Sequence, residues 1–148
     1  MTLQAVFREL EAQRVDLKGL ILKSSFVLAG SEFETQTEPN DVAEATVRTF
    51  KNAVPTEVPG IVFLSGGQTP ERATANLNAV ASLEQAQGQM PWQFAFSFSR
   101  GIEQPVQQAW QGKADNVLKA QEALLERLRL NSLADAGTYT ADMETSQE

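Results

Sequence analysis

Residues 60–80, GIVFLSGGQTPERATANLNAV, constrain the fold of this chain more than any other stretch. Gly60-Ile61-Val62-Phe63-Leu64 is a continuous apolar run with β-branched residues, the pattern of a strand covered on both faces in a parallel sheet. Ser65-Gly66-Gly67-Gln68 breaks the run with two residues that tolerate positive φ and close backbone approach. Thr69 then suits an N-cap, Pro70 the first helical position and Glu71 the positive end of a helix dipole. Ala73, Leu77, Val80 and Ala81 continue at helical spacing. A strand ending in Ser-Gly-Gly can present a hydroxyl and free N–H groups to an anion, as a phosphate cradle does. It can equally be a plain βα turn in which the glycines serve geometry alone.

The same alternation recurs on either side. Residues 2–15 read as an amphipathic helix carrying Leu3, Val6, Phe7 and Leu10, and Leu20-Ile21-Leu22 as a short buried strand ending at Lys23. A polar loop over 24–40 leads to a helix near 41–53. Beyond the helix near 70–87, Trp92-Gln93-Phe94-Ala95-Phe96-Ser97-Phe98 is an aromatic-rich strand closed by Ser99-Arg100-Gly101. Helices follow near 103–111 and 114–131. Strands separated by helices imply right-handed βαβ crossovers and a parallel sheet, here an α/β arrangement of three βα units with strands near 19–23, 60–65 and 92–98. Residues 1–131 hold this unit, and the small, acidic stretch 132–148 is expected to be a flexible tail.

Composition narrows the chemistry. A chain of 148 residues with 42% hydrophobic content can bury a core, and its net charge of −7 argues against a nucleic-acid footprint. The charged start lacks the apolar core of a signal peptide, and no run approaches membrane-spanning length. With no cysteine there is no disulfide or thiol catalysis, which agrees with a cytoplasmic location. With no histidine there is no Ser-His-Asp triad, no imidazole base and no His-ligated zinc. Lysine, carboxylates, hydroxyls and backbone dipoles remain.

Each strand is expected to deliver polar groups at its carboxyl end, where parallel α/β folds build sites: Lys23, Ser65, and Ser97 with Ser99 and Arg100. A lysine directly after three aliphatic residues can be desolvated and act as a nucleophile, or it can snorkel to water. Arg100 can clamp a phosphate or pair with Glu103; Ser65 can bind phosphate or cap its own turn. Trp110 and the aromatic strand read as core.

Taken together, Leu20-Ile21-Leu22-Lys23, Phe63-Leu64-Ser65-Gly66-Gly67-Gln68, Asn76-Leu77-Asn78, Phe96-Ser97-Phe98-Ser99-Arg100, Asn131-Ser132-Leu133-Ala134 and Tyr139-Thr140 resemble the class I fructose-bisphosphate aldolases, in order and over nearly the whole chain. The resemblance implies that Lys23 forms a Schiff base with a ketose or with dihydroxyacetone phosphate. It implies that Ser65, Gly66, Ser97, Ser99 and Arg100 bind a substrate phosphate, with no metal and no cofactor. Ser99 departs from the glycine the family keeps there, and Ser24 stands where it has proline. The family fold is a (β/α)8 TIM barrel of about 250 residues, so this chain corresponds to its C-terminal part. The family's acid–base carboxylates and other site lysines lie on earlier strands.

The expected function is therefore reversible cleavage of fructose 1,6-bisphosphate, present as a C-terminal fragment. The alternative is a non-catalytic remnant, or a phosphate-binding fragment that complements a missing half; an unrelated open α/β phosphate-binding module is a third reading. Expected partners are a phosphorylated sugar and either a second copy or the missing N-terminal half, not nucleic acid or membrane. An incomplete barrel is further expected to expose Ile61, Phe63, Phe94 and Phe96 along its inner face.

Overall fold

The computed structural model describes residues 2–30, 32–33 and 37–145. Its elements run α1 (Thr2–Ala12), β1 (Ile21–Ser25), α2 (Pro39–Ala53), β2 (Gly60–Leu64), α3 (Pro70–Gln87), β3 (Gln93–Phe96), α4 (Arg100–Trp110) and α5 (Val117–Asp135), with short 3-10 turns between. The three strands are parallel and adjacent in sequence order. Lys23 pairs with Val62 and Val62 with Ala95, while Leu22, Ile61 and Phe94 form the neighbouring row.

Side chains on a strand alternate between faces, and this alternation decides what the sheet buries. The row of Leu22, Ile61 and Phe94 and the row of Ser24, Phe63 and Phe96 face the helices. Ile61 and Phe63 have no exposed surface. Phe63 stacks on Phe26 with ring centroids 4.2 Å apart and contacts Phe50 of α2 at 6.0 Å. Trp92 is buried beside them and its indole N–H donates to the Pro55 carbonyl at 2.9 Å. Val42, Val47 and Phe50 of α2 and Ala73, Leu77 and Val80 of α3 complete this core. Each large side chain so buried stabilises the fold by about 1.5–3 kcal/mol.

The opposite face, with Ile21, Lys23, Ser25, Val62, Leu64 and Ala95, carries no helix layer, and Ile21 is 55% exposed. The expected exposure of Ile61, Phe63, Phe94 and Phe96 is thus reversed: those residues point to the helices, and the smaller alternate set lies open. The reason is the period of two, which puts the larger apolar residues of the run on one side. Trp110 also departs from expectation, being 45% exposed at the end of α4.

The chain end is more extensively packed than a tail beginning at 132 implies. Helix α5 continues to Asp135, Tyr139 is buried, and 141–144 form a 3-10 turn. Arg127, only 5% exposed, supplies the anchor. It donates to Glu144 at 2.6 Å and to the Thr74 hydroxyl at 2.6 Å, and Tyr139 donates to the same Glu144 at 2.9 Å. A guanidinium buried in a helix interface has to be paired, and Glu144 provides the countercharge. Residues 146–148 of the expected tail lie outside the described residues.

Candidate active site

At the carboxyl end of β2 the strand gives way to the Ser65–Gln68 turn. Gly66 and Gly67 both adopt positive φ, 60° and 81°, which a side chain would strain. The Gln68 N–H and its side-chain amide both donate to the Ser65 carbonyl, at 3.1 and 2.8 Å, and Asn76 of α3 in turn donates to the Gln68 side chain. Thr69 caps α3 by accepting from the Arg72 N–H at 3.3 Å. The turn is therefore fixed from its far side, and its glycine backbone faces outward.

Arg100 approaches from β3. Its guanidinium lies where it would meet a Cβ added to Gly67, at 3.5 Å, so the bare backbone is what lets the cation sit against the turn. The expectation that Arg100 belongs to the strand end is corrected: it is the first residue of α4, and Ser99 is the N-cap, with its carbonyl accepting from Glu103 at 2.8 Å. The dipole of α4 thus adds positive potential beside the guanidinium. Arg100 forms no ion pair with Glu103 or any other described residue. Ser97 continues the ladder, its N–H donating to the Phe63 carbonyl at 2.8 Å.

Ser65 is buried, and its hydroxyl accepts from the Gly101 N–H at 3.3 Å. The hydroxyl proton has no acceptor among the described residues. Gly101, which sequence reasoning took only as a strand terminator, is what allows this contact: a Cβ there would stand 3.1 Å from Ser65 Cβ. The one available signal was its place directly after Arg100.

Lys23 lies not at the strand's end but in its middle, because β1 runs on through Ser24 to Ser25. It sits on the open face, three residues short of the Ser65 row, or roughly 10 Å along the strand direction. Of its two readings, desolvation and reach to water, the structure matches the second, since Lys23 is exposed. Ser65, Gly66, Ser99 and Arg100 are thus brought together, Ser97 extends the strand behind them, and Lys23 stands apart on the same sheet. Among the described residues no group of three or more carboxylates could hold a metal ion, and no helix is long and apolar enough to cross a membrane.

A parallel sheet of βα units with a lysine on one face and a glycine turn at its carboxyl end is the α/β arrangement from which closed barrels are built. The family model for fructose-bisphosphate aldolase class-I matches residues 1–148. The chain is 45% identical over 137 residues to the fructose-bisphosphate aldolase of Plasmodium falciparum (isolate K1 / Thailand), covering 93% of this chain and 37% of that protein. It is 43% identical over 145 residues to the cytoplasmic isozyme of Cicer arietinum, covering 98% of this chain and 39% of the relative. A solved structure of fructose-bisphosphate aldolase from Plasmodium falciparum, in complex with TRAP and a small molecule inhibitor, superposes with a TM-score of 0.87 at 45% identity. That match covers 94% of this chain and 39% of the solved one. The chain belongs to the class I fructose-bisphosphate aldolase family. It spans well under half the length of these relatives, and its three βα units match part of their TIM barrel.

Proposed function

We propose that this chain carries the imine-forming lysine and one phosphate cradle of an enzyme that reversibly cleaves fructose 1,6-bisphosphate to dihydroxyacetone phosphate and glyceraldehyde 3-phosphate. The observation that supports this most is the shared placement of Lys23 on the uncovered sheet face and of Ser65, Gly66 and Arg100 at the carboxyl end of the same sheet.

In this reading the unprotonated Lys23 amine adds to the ketone carbon, and loss of water leaves an iminium. That cation accepts the electron pair of the C3–C4 bond as it breaks, while the C4 hydroxyl loses its proton and becomes the aldehyde. The resulting enamine takes up a proton at C3, and hydrolysis restores the amine. The phosphate is held by the Ser65 hydroxyl, the Gly66 N–H and the Arg100 guanidinium, with Ser97 and Ser99 beside them, in charge-assisted hydrogen bonds. The groups that exchange protons with C4 belong to barrel strands outside this chain.

A second reading is phosphate binding without turnover, or complementation of the remaining barrel; the exposure of Lys23 favours it for the chain on its own. A second copy or the rest of the barrel is the proposed protein partner. Relatives described as cytoplasmic in Cicer arietinum and cytosolic in Arabidopsis thaliana support a cytoplasmic location. The test is borohydride reduction in the presence of dihydroxyacetone phosphate, followed by mass spectrometry. We expect one adduct, on Lys23, and none in Lys23→Arg; an adduct on another lysine, or no adduct, overturns the assignment. A parallel cleavage assay separates imine formation from turnover.

A further inference from the structure

Beside the glycine turn lies a cleft that the proposed reaction does not use. It encloses about 490 Å³, within the range of small-molecule sites. One wall is apolar, formed by Leu28 and Phe33 of the segment after β1 and by Val42 of α2. The other is polar, formed by Gly66, Gly67 and Arg72 of the turn into α3. Gly66 and Gly67 border the cleft, and the Arg100 guanidinium, which does not line it, lies against Gly67.

Two features of this cleft lack an internal explanation. Phe33 is 69% and Leu28 39% exposed, although both border a concavity and the core already gathers Phe26, Phe50 and Trp92 around Phe63 and Phe94. Arg72 is half-buried, yet its guanidinium has no ion-pair or hydrogen-bond partner among the described residues. It stands in the first turn of α3, where the helix dipole is also positive. In a chain of net charge −7, an arginine with no ion-pair partner among the described residues, held at a positive helix end, is a local inversion of the field. The cleft thus opposes a cation to an apolar wall across a space too large for a water and suited to one ring system.

We infer that this cleft is a second binding subsite, which takes a small amphiphilic anion: a phosphate monoester with an aromatic or short acyl body, its phosphate on Arg72 and its body on Leu28, Phe33 and Val42. The planar guanidinium grips two phosphate oxygens, and the ring displaces water from Phe33. The subsite is distinct from the cradle on Arg100, and the shared Gly66–Gly67 wall makes the two neighbours.

The test is calorimetric titration of the full chain with 1-naphthyl phosphate and, separately, inorganic phosphate. We expect the naphthyl ester to bind at least tenfold more tightly. Arg72→Ser and Phe33→Ser should each lower the naphthyl affinity at least fivefold, and both substitutions fall on partly or largely exposed side chains whose loss leaves the core intact, which circular dichroism verifies. Leu125→Ser, on the exposed side of α5, serves as the control for adhesion to apolar surface and should change nothing. Equal affinity for the two anions in the unsubstituted chain, full naphthyl preference in either cleft variant, or an equal loss in the Leu125 variant overturns the subsite. The imine on Lys23 is read by a different experiment through different residues, so failure of one proposal leaves the other standing.

Discussion

The Gly101 N–H donates to the Ser65 hydroxyl at 3.3 Å, joining the first turn of α4 to the end of β2 across 36 residues of sequence. The bond turns two separate βα junctions into one rigid corner. It also leaves the hydroxyl proton without an acceptor among the described residues.

Ser65→Ala should therefore act on stability as well as on binding. It strands a buried N–H and removes the proposed phosphate donor, so we expect a loss of about 1–3 kcal/mol in urea unfolding together with weaker phosphate binding. Gly101→Ala should keep the bond's partners yet displace them, because its Cβ would stand 3.1 Å from Ser65 Cβ. Unfolding curves identical to the unsubstituted chain in both variants would remove the corner from the account.

Arg100→Ala should weaken phosphate-ester binding by about 1.5–3 kcal/mol, and Arg100→Lys by less. A planar fork meets two oxygens, whereas an ammonium is a point charge. Equal affinities for the two variants would show that Arg100 does not clamp the anion.

Glu144→Ala removes the countercharge of a guanidinium that is 5% exposed and leaves Tyr139 without its acceptor. Breaking a buried pair costs up to about 3–5 kcal/mol. Since Glu144 lies in a short turn near the chain end that can lift and admit water, we expect about 1–3 kcal/mol, close to the worth of charged hydrogen bonds. Amide exchange should show the loss concentrated in 138–145; a uniform change across the sheet would contradict the latch.

Asp135 ends α5, where the helix dipole is negative, and partial desolvation with the neighbouring Glu84 raises its carboxyl pKa above the ordinary value of 3.8. A raised folded pKa means that ionisation opposes folding, so this contribution to stability is present below about pH 3.8 and is lost as pH rises through the folded value. Asp135→Asn should accordingly raise the melting temperature at pH 7, and the gap should close as pH falls toward 4. A gap that widens in acid would reverse the sign.

As an isolated polypeptide the sheet has two unpaired edges, β1 and β3, and one face without a layer. Sedimentation should find it associated, and a cleavage assay should find turnover far below that of an intact barrel. A monomer with ordinary turnover would contradict both.

Strand order and the glycine turn could be read from the sequence because each is encoded locally, in the run Gly60–Leu64 and the Ser65-Gly66-Gly67 break. What escaped is encoded at a distance. Lys23 moved from the end of β1 to its middle because the boundary depends on pairing of Ser25 with Leu64, not on any residue nearby. Arg127 reads as a surface residue between Glu126 and Leu128. Its burial follows from Ala120, Leu130, Asn131 and Ala134 sharing its side of α5, and from Glu144 seventeen residues on. Arg72 looks like an ordinary first-turn residue until the segment after β1 folds across from it.

The alternation along the sheet sorts its residues by what they meet. Positions 22, 61 and 94 pack on the helices, whereas 23, 62 and 95 touch none of that core. The two sets are alternate residues of the same three strands. The helix-facing set thus holds this sheet to its helices, while the alternate set is left for whatever closes over the open face.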